Sequence, residues 1–89
     1  MKKVKINDHT KFKTDRRSIS EEIIKSVVEN PQQKLPSRKD RVILQSRYYD
    51  TNEGKEMLLR VIGIESTEEF RVITAYKTSK IDKYWQKGG

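Results

Sequence analysis

The sequence predicts an α+β domain in which N-terminal helices pack on one face of a three- to four-stranded antiparallel sheet. Three observations carry that prediction. The helix signals lie before Pro31, β-forming runs fill residues 41–79, and the connections between those runs are short enough to demand antiparallel neighbours. With 89 residues the chain makes one domain spanning 1–89, and a chain of this size buries only about 60–65% of its unfolded surface. Hydrophobic residues are 33% and charged residues 37%, yet the apolar residues cluster in separate blocks, each able to form one face of an element. The ends are expected to be ragged and mobile.

In chain order, Lys3–Asn7 offers an edge strand. Asn7 or Asp8 can cap a short helix over His9–Arg16, with Phe12 its one large apolar residue. The next helix is better signalled. Ser20 is its N-cap, Glu21 and Glu22 sit where the helix dipole favours acids, and Ile19 can staple onto Ile24. Ile23, Ile24, Val27 and Val28 form one apolar stripe, and Pro31 stops the helix after Asn30. Pro31–Asp40 reads as a surface loop. Arg41–Tyr49 is rich in β-formers, Asp50–Gly54 supplies turn residues, and Lys55–Ile64 is a second run with Gly63 as a bulge candidate. Glu65–Glu69 turns the chain into Phe70–Ser79. In the tail, Lys80–Gly89, Tyr84 and Trp85 are expected to dock on the sheet before Gly88 and Gly89 fray.

Composition removes several function classes. There is no cysteine, hence no disulfide, thiolate metal site or Cys nucleophile. One histidine and scattered acids give no metal-ligand cluster, and the four glycines form no phosphate-cradling loop, so neither metal nor cofactor is expected. No segment approaches a membrane span and the N-terminus has no apolar signal core, which points to the cytoplasm. The net charge of +7 is unevenly placed. Residues 1–20 carry seven Lys/Arg against two Asp, residues 21–70 carry eight against ten acids, and residues 71–89 carry five against one. If the two basic ends lie side by side they form one patch suited to a polyanion, which makes nucleic acid the leading partner.

Arg71–Ser79 reads as a strand that also carries a site. Strict alternation puts Val72, Thr74, Tyr76 and Thr78 on one face and Arg71, Ile73, Ala75 and Lys77 on the other. The plain alternative is a strand with one wet face, where Thr and Tyr are favoured anyway. A basic surface with His9, several Arg and Lys, and Tyr76 beside Thr74 suffices for RNA cleavage by 2′-hydroxyl attack. One group takes the 2′ proton, cations hold the charged phosphorane, and another group protonates the leaving oxygen.

The order His9-x7-Arg17-x-Ile-Ser-x-Glu-x-Ile-x3-Val-x-Asn30-Pro31, followed by two strands and Arg71-Val-Ile-Thr-Ala-Tyr-Lys-Thr, resembles a family of small prokaryotic domains related to BrnT-type and RelE-like ribonuclease toxins. Ser18 stands where those domains often have Gly. The resemblance covers roughly residues 9–84. It implies the barnase-like/RelE-like nuclease fold and assigns roles to His9, Arg17, Thr74 and Tyr76, with Lys77 at a basic position of the last strand.

The reading is a toxin-like, metal-independent endoribonuclease. His9 and Tyr76 are its acid/base candidates with Arg17 beside them, and Arg16, Arg60, Thr74, Lys77 and Lys80 hold the nucleic acid. Each residue has a plainer role available: His9 as an exposed histidine, Arg17 paired with Asp15 or Glu21, and Tyr76 rivalled as a stacking platform by Tyr48, Tyr49 and Tyr84. Arg60, inside an apolar strand, requires a partner such as Glu65 or Asp50 unless its face is open. Tyr76 and Lys77 serve one site only if a twist or bulge brings Lys77 round. The rival readings are a non-catalytic RNA- or DNA-binding module and an interaction domain covered by an acidic or DNA-binding antitoxin. For the toxin reading the ribosome is a further expected partner.

Overall fold

The computed structural model describes residues 3–87, in the order β1 (Lys3–Ile6), α1 (Asp8–Arg16), α2 (Glu21–Glu29), β2 (Gln33–Pro36), β3 (Arg41–Asp50), β4 (Lys55–Glu65), β5 (Glu69–Thr78) and α3 (Ile81–Tyr84). The fold is α+β, with α1 and α2 packed against a single sheet of order β1-β5-β4-β3-β2. Met1, Lys2, Gly88 and Gly89 lie outside the described residues, and with them the expected fraying of the ends. The sheet has five strands rather than three or four. β1 joins β5 in parallel, with Lys3 opposite Glu69 and Ile6 opposite Val72, while every other pair is antiparallel.

Residues 31–40 correct the loop assignment. Gln33–Pro36 pairs with Val42–Gln45 as an edge strand, a position where Pro36 removes no ladder donor from a central strand. A turn with Lys39 at φ 54° and Asp40 at φ 64° closes this hairpin, and the Arg41 N–H donates to the Arg38 carbonyl at 3.1 Å. Two consecutive positive φ values define the type I′ geometry that matches strand twist. Neither its Lys-Asp pair nor the short strand Gln33-Lys-Leu-Pro36 before it carries the usual sequence signal.

α2 forms as its sequence dictates. Ser20 Oγ accepts from the Ile23 N–H at 3.3 Å, and Ile19 and Ile24 are 2% and 0% exposed in the same core as Val27. That core is completed from the sheet by Leu44, Leu59, Val61, Phe70, Val72 and Ala75. α1 ends in a Schellman arrangement: Ser18 N–H donates to Asp15 O at 3.0 Å, Ile19 N–H to Thr14 O at 2.9 Å, and Ser18 takes φ 59°.

The alternation expected along the last strand breaks at Ile73. Gly63 pairs with Val72 but Ile62 pairs with Thr74, so Ile73 is an extra, unpaired residue. The bulge expected at Gly63 is therefore present, with its extra residue on the neighbouring strand. Its effect is to put Val72 and Ala75 into the helix-side core together, so Val72 does not share a face with Thr74 and Tyr76. A glycine is required opposite it, because a Cβ at Gly63 would collide with the Phe70 ring and the Arg71 carbonyl oxygen.

Candidate nucleic-acid interface

α1 begins at Asn7, whose side chain accepts from the Thr10 N–H at 2.8 Å, with Asp8 in the first turn. Its buried side chains are Thr10 and Thr14, four residues apart and hence on one face. That face lies against β5 beyond the point where β1 stops pairing. There, Thr10 Oγ1 donates to the Ile73 carbonyl at 3.1 Å, and Arg17 Nη1 donates to the Ala75 carbonyl at 2.9 Å and to Thr74 Oγ1 at 3.4 Å. α1 thus satisfies carbonyls that an edge strand would otherwise leave open. Arg17 pairs with neither Asp15 nor Glu21; Glu21 takes Lys11 instead, at 3.2 Å.

The opposite face of α1 holds His9, Phe12, Lys13 and Arg16, spaced i, i+3, i+4, i+7, and these four with Arg17 line one open cleft. Phe12 is 60% exposed, and the Arg16 guanidinium carbon stands 5.8 Å from the centre of its ring. A polar helix with a single large apolar side chain turns that side chain to the core if it can. Here the two threonines hold the core-facing positions, so the aromatic ring stays in water among cations.

The predicted site residues divide among three places. His9, Arg16 and Arg17 share the cleft, and Arg17 reaches Thr74. Tyr76 and Arg60 lie elsewhere, on the sheet face turned away from the helices. Directly paired residues Gln33, Gln45, Arg60 and Tyr76 form one row across β2, β3, β4 and β5. Arg60 Nη1 donates to the Tyr76 hydroxyl at 2.5 Å, Arg60 Nε to Gln45 Oε1 at 2.9 Å, and Gln45 Nε2 to Gln33 Oε1 at 2.7 Å. Arg60 is 9% exposed, and its partners correct the expected Glu65 or Asp50. Glu65 binds Lys34 at 2.6 Å and Asp50 binds Lys77 at 2.8 Å.

Lys77 marks the third place. Its side chain is 10% exposed, tied to the 6% exposed Asp50 beneath the β3–β4 turn. Asp50 Oδ2 also accepts from the Tyr48 hydroxyl at 2.9 Å, and Oδ1 from the N–H groups of Asn52 and Glu53. The Lys77 hydrogen bond leads the contacts that hold the Asp50 carboxyl at a pKa of about 2, and burial leads those that push the Tyr48 hydroxyl up. This is a turn-fixing ion pair, so Lys77 is not available to a phosphate, and the bulge at Ile73 leaves Tyr76 and Lys77 on opposite faces. Lys80 is exposed just before α3.

Sequence reasoning missed Phe12 as a surface group and the two glutamines of the cross-sheet row. The first was open to discovery, since a lone Phe in so polar a helix has no apolar neighbours to join. Among the described residues, no group of three or more His, Asp or Glu could hold a metal ion, and no helix is long and apolar enough to cross a membrane. Comparison with protein-family models, with curated proteins and with solved structures found no match.

Proposed function

We propose that this chain is a non-catalytic module that binds single-stranded RNA through the solvent face of α1. The reading rests above all on Phe12, an exposed ring set among His9, Lys13, Arg16 and Arg17. An aromatic face beside cations is what a base and its flanking phosphates require, because stacking tolerates any base while the cations follow the backbone. The resemblance to ribonuclease toxins supports the same ligand. Of the catalytic pair, His9 lies in the cleft, but the Tyr76 hydroxyl is bound to Arg60 on the outward sheet face.

Fluorescence anisotropy with a labelled octanucleotide tests the proposal. Removal of one stacking platform costs about 1–3 kcal/mol, so Phe12→Ala is expected to weaken binding roughly 5- to 150-fold. The fold is expected to be untouched. Lys13→Gln with Arg16→Gln is expected to flatten the dependence of log affinity on log salt by about 1.4, at roughly 0.7 for each phosphate no longer neutralised. Unchanged affinity in Phe12→Ala, together with an unchanged salt slope, would remove this reading. Chelator-resistant cleavage to 2′,3′-cyclic phosphate ends, abolished by His9→Ala, would replace it with the endoribonuclease.

A further inference from the structure

Residues 79–87 cross the outward face of the sheet and cover the Gln33–Gln45–Arg60–Tyr76 row. Their own attachment is thin: α3 has no buried residue, and Tyr84 and Trp85 are only half-buried. What they cover is more deeply buried than they are, with Gln45 at 0% exposed and Arg60 at 9%. The contacts are of three kinds. The Arg60 guanidinium lies 4.4 Å from the Tyr84 ring centre and the Arg47 guanidinium 4.8 Å from that of Trp85. Gln45 Nε2 donates to the Tyr84 carbonyl at 3.2 Å. Gln33 donates to the Gln86 carbonyl at 2.7 Å and accepts from the Gln86 N–H at 3.1 Å.

Every one of these contacts has an equivalent in a nucleotide. A base takes the place of an aromatic ring over a guanidinium, and an amide that both donates and accepts can meet a base edge as readily as a peptide unit. Arg60 adds a bias. Among the described residues no carboxylate forms an ion pair with it, and the tail supplies only a neutral ring, so an anionic ligand compensates this cation better than the tail does. We infer that the sheet face under residues 79–87 is a second RNA-binding surface, with Arg60 and Arg47 as its stacking and phosphate groups and Gln33 and Gln45 as its base-edge readers. The C-terminal segment occupies this face as an internal ligand and is displaced when RNA binds. The inference rests on the RNA-binding reading but on different residues.

Trp85 is the chain's single tryptophan, so its emission reports the tail alone. Titrating the protein with an oligoadenylate octamer is expected to shift that emission to the red as the ring leaves Arg47 for water. Tyr84→Ala weakens the internal ligand and is expected to tighten RNA binding, because a larger fraction of molecules is competent to bind. Trp85→Ala, which removes the ring that the exposed Arg47 stacks on, is expected to do the same and guards against misfolding in the first variant. Arg47→Gln is expected to lower affinity in the Tyr84→Ala background. If RNA binds in a Phe12-dependent way while Trp85 emission stays constant and neither tail variant binds tighter, this inference is overturned and the α1 reading stands. If Phe12→Ala is without effect but the tail responds, the α1 reading falls and the sheet face stands. Absence of binding by the parent chain and by both tail variants overturns both.

Discussion

Replacing Gly63 by Ala probes the irregularity on which the β5 geometry depends. The added Cβ would meet two obstacles, the Phe70 ring and the Arg71 carbonyl oxygen. Phe70 is 0% exposed, so its ring has no solvent to swing into. Arg71 is paired on both sides, with Lys5 and with Ile64, so its carbonyl moves only if the sheet moves. Overpacking a core costs about 1–3 kcal/mol and occasionally more, and with backbone as one obstacle the upper figure, about 3 kcal/mol, applies. Each kcal/mol lowers the melting temperature of a domain this size by about 4–8 °C, so Gly63→Ala is expected to melt about 12–24 °C below the parent in a circular dichroism scan. Adding Phe70→Leu removes the ring but not the carbonyl, and is expected not to restore stability. A melting temperature for Gly63→Ala within about 3 °C of the parent would refute the tight approach of β4 to β5.

Other residues make separate claims. Ser20→Ala removes the cap of α2 and is expected to lower stability by about 1 kcal/mol, read as a shift of the urea midpoint. Ser18→Gly relieves a left-handed residue and is expected to raise stability by roughly 0.5–1 kcal/mol, the strain released exceeding the flexibility glycine adds to the unfolded chain. Asp50 has its folded pKa depressed from 3.8 to about 2, so its contribution is complete above the unfolded value and is lost as pH falls from about 4 towards 2. Lys77→Met removes the main cause and is expected to flatten that acid limb of the urea midpoint against pH; an unchanged limb would mean that other carboxylates control acid unfolding.

Local chemistry explains which elements could be read from the sequence. α2 was legible because cap, first-turn acids, apolar stripe and terminal proline all agree over Ser20–Pro31. β3, β4 and β5 were legible because each is dense in β-formers and separated by turn residues. β2 was not, since Gln33-Lys-Leu-Pro36 forms a strand only by pairing with β3, a tertiary cause that leaves no trace in local propensity. β1 was half legible. Its residues could be seen as an edge strand, but nothing in them specifies that they run parallel to the chain's last strand.

The site was harder to read because it turns on a shift of one residue. Strict alternation along β5 grouped Val72 with Thr74 and Tyr76, and one unpaired residue at Ile73 separates them. A slip of one position exchanges core and solvent faces for everything beyond it. Ala75 thereby enters the core. Tyr76 is directed to Arg60 on the outward face, and Lys77 to Asp50 on the helix side. On the other edge of β5, β1 stops pairing at Val72, and the Ile73 and Ala75 carbonyls beyond that point are bound by Thr10 and Arg17 of the α1 segment. Those two anchors orient α1, and orientation alone decides that Phe12 and its neighbouring cations face water. The proposed RNA surface on α1 therefore follows from where β1 ends, and the row built around Arg60 beneath the C-terminal segment is its counterpart on the other side of the sheet.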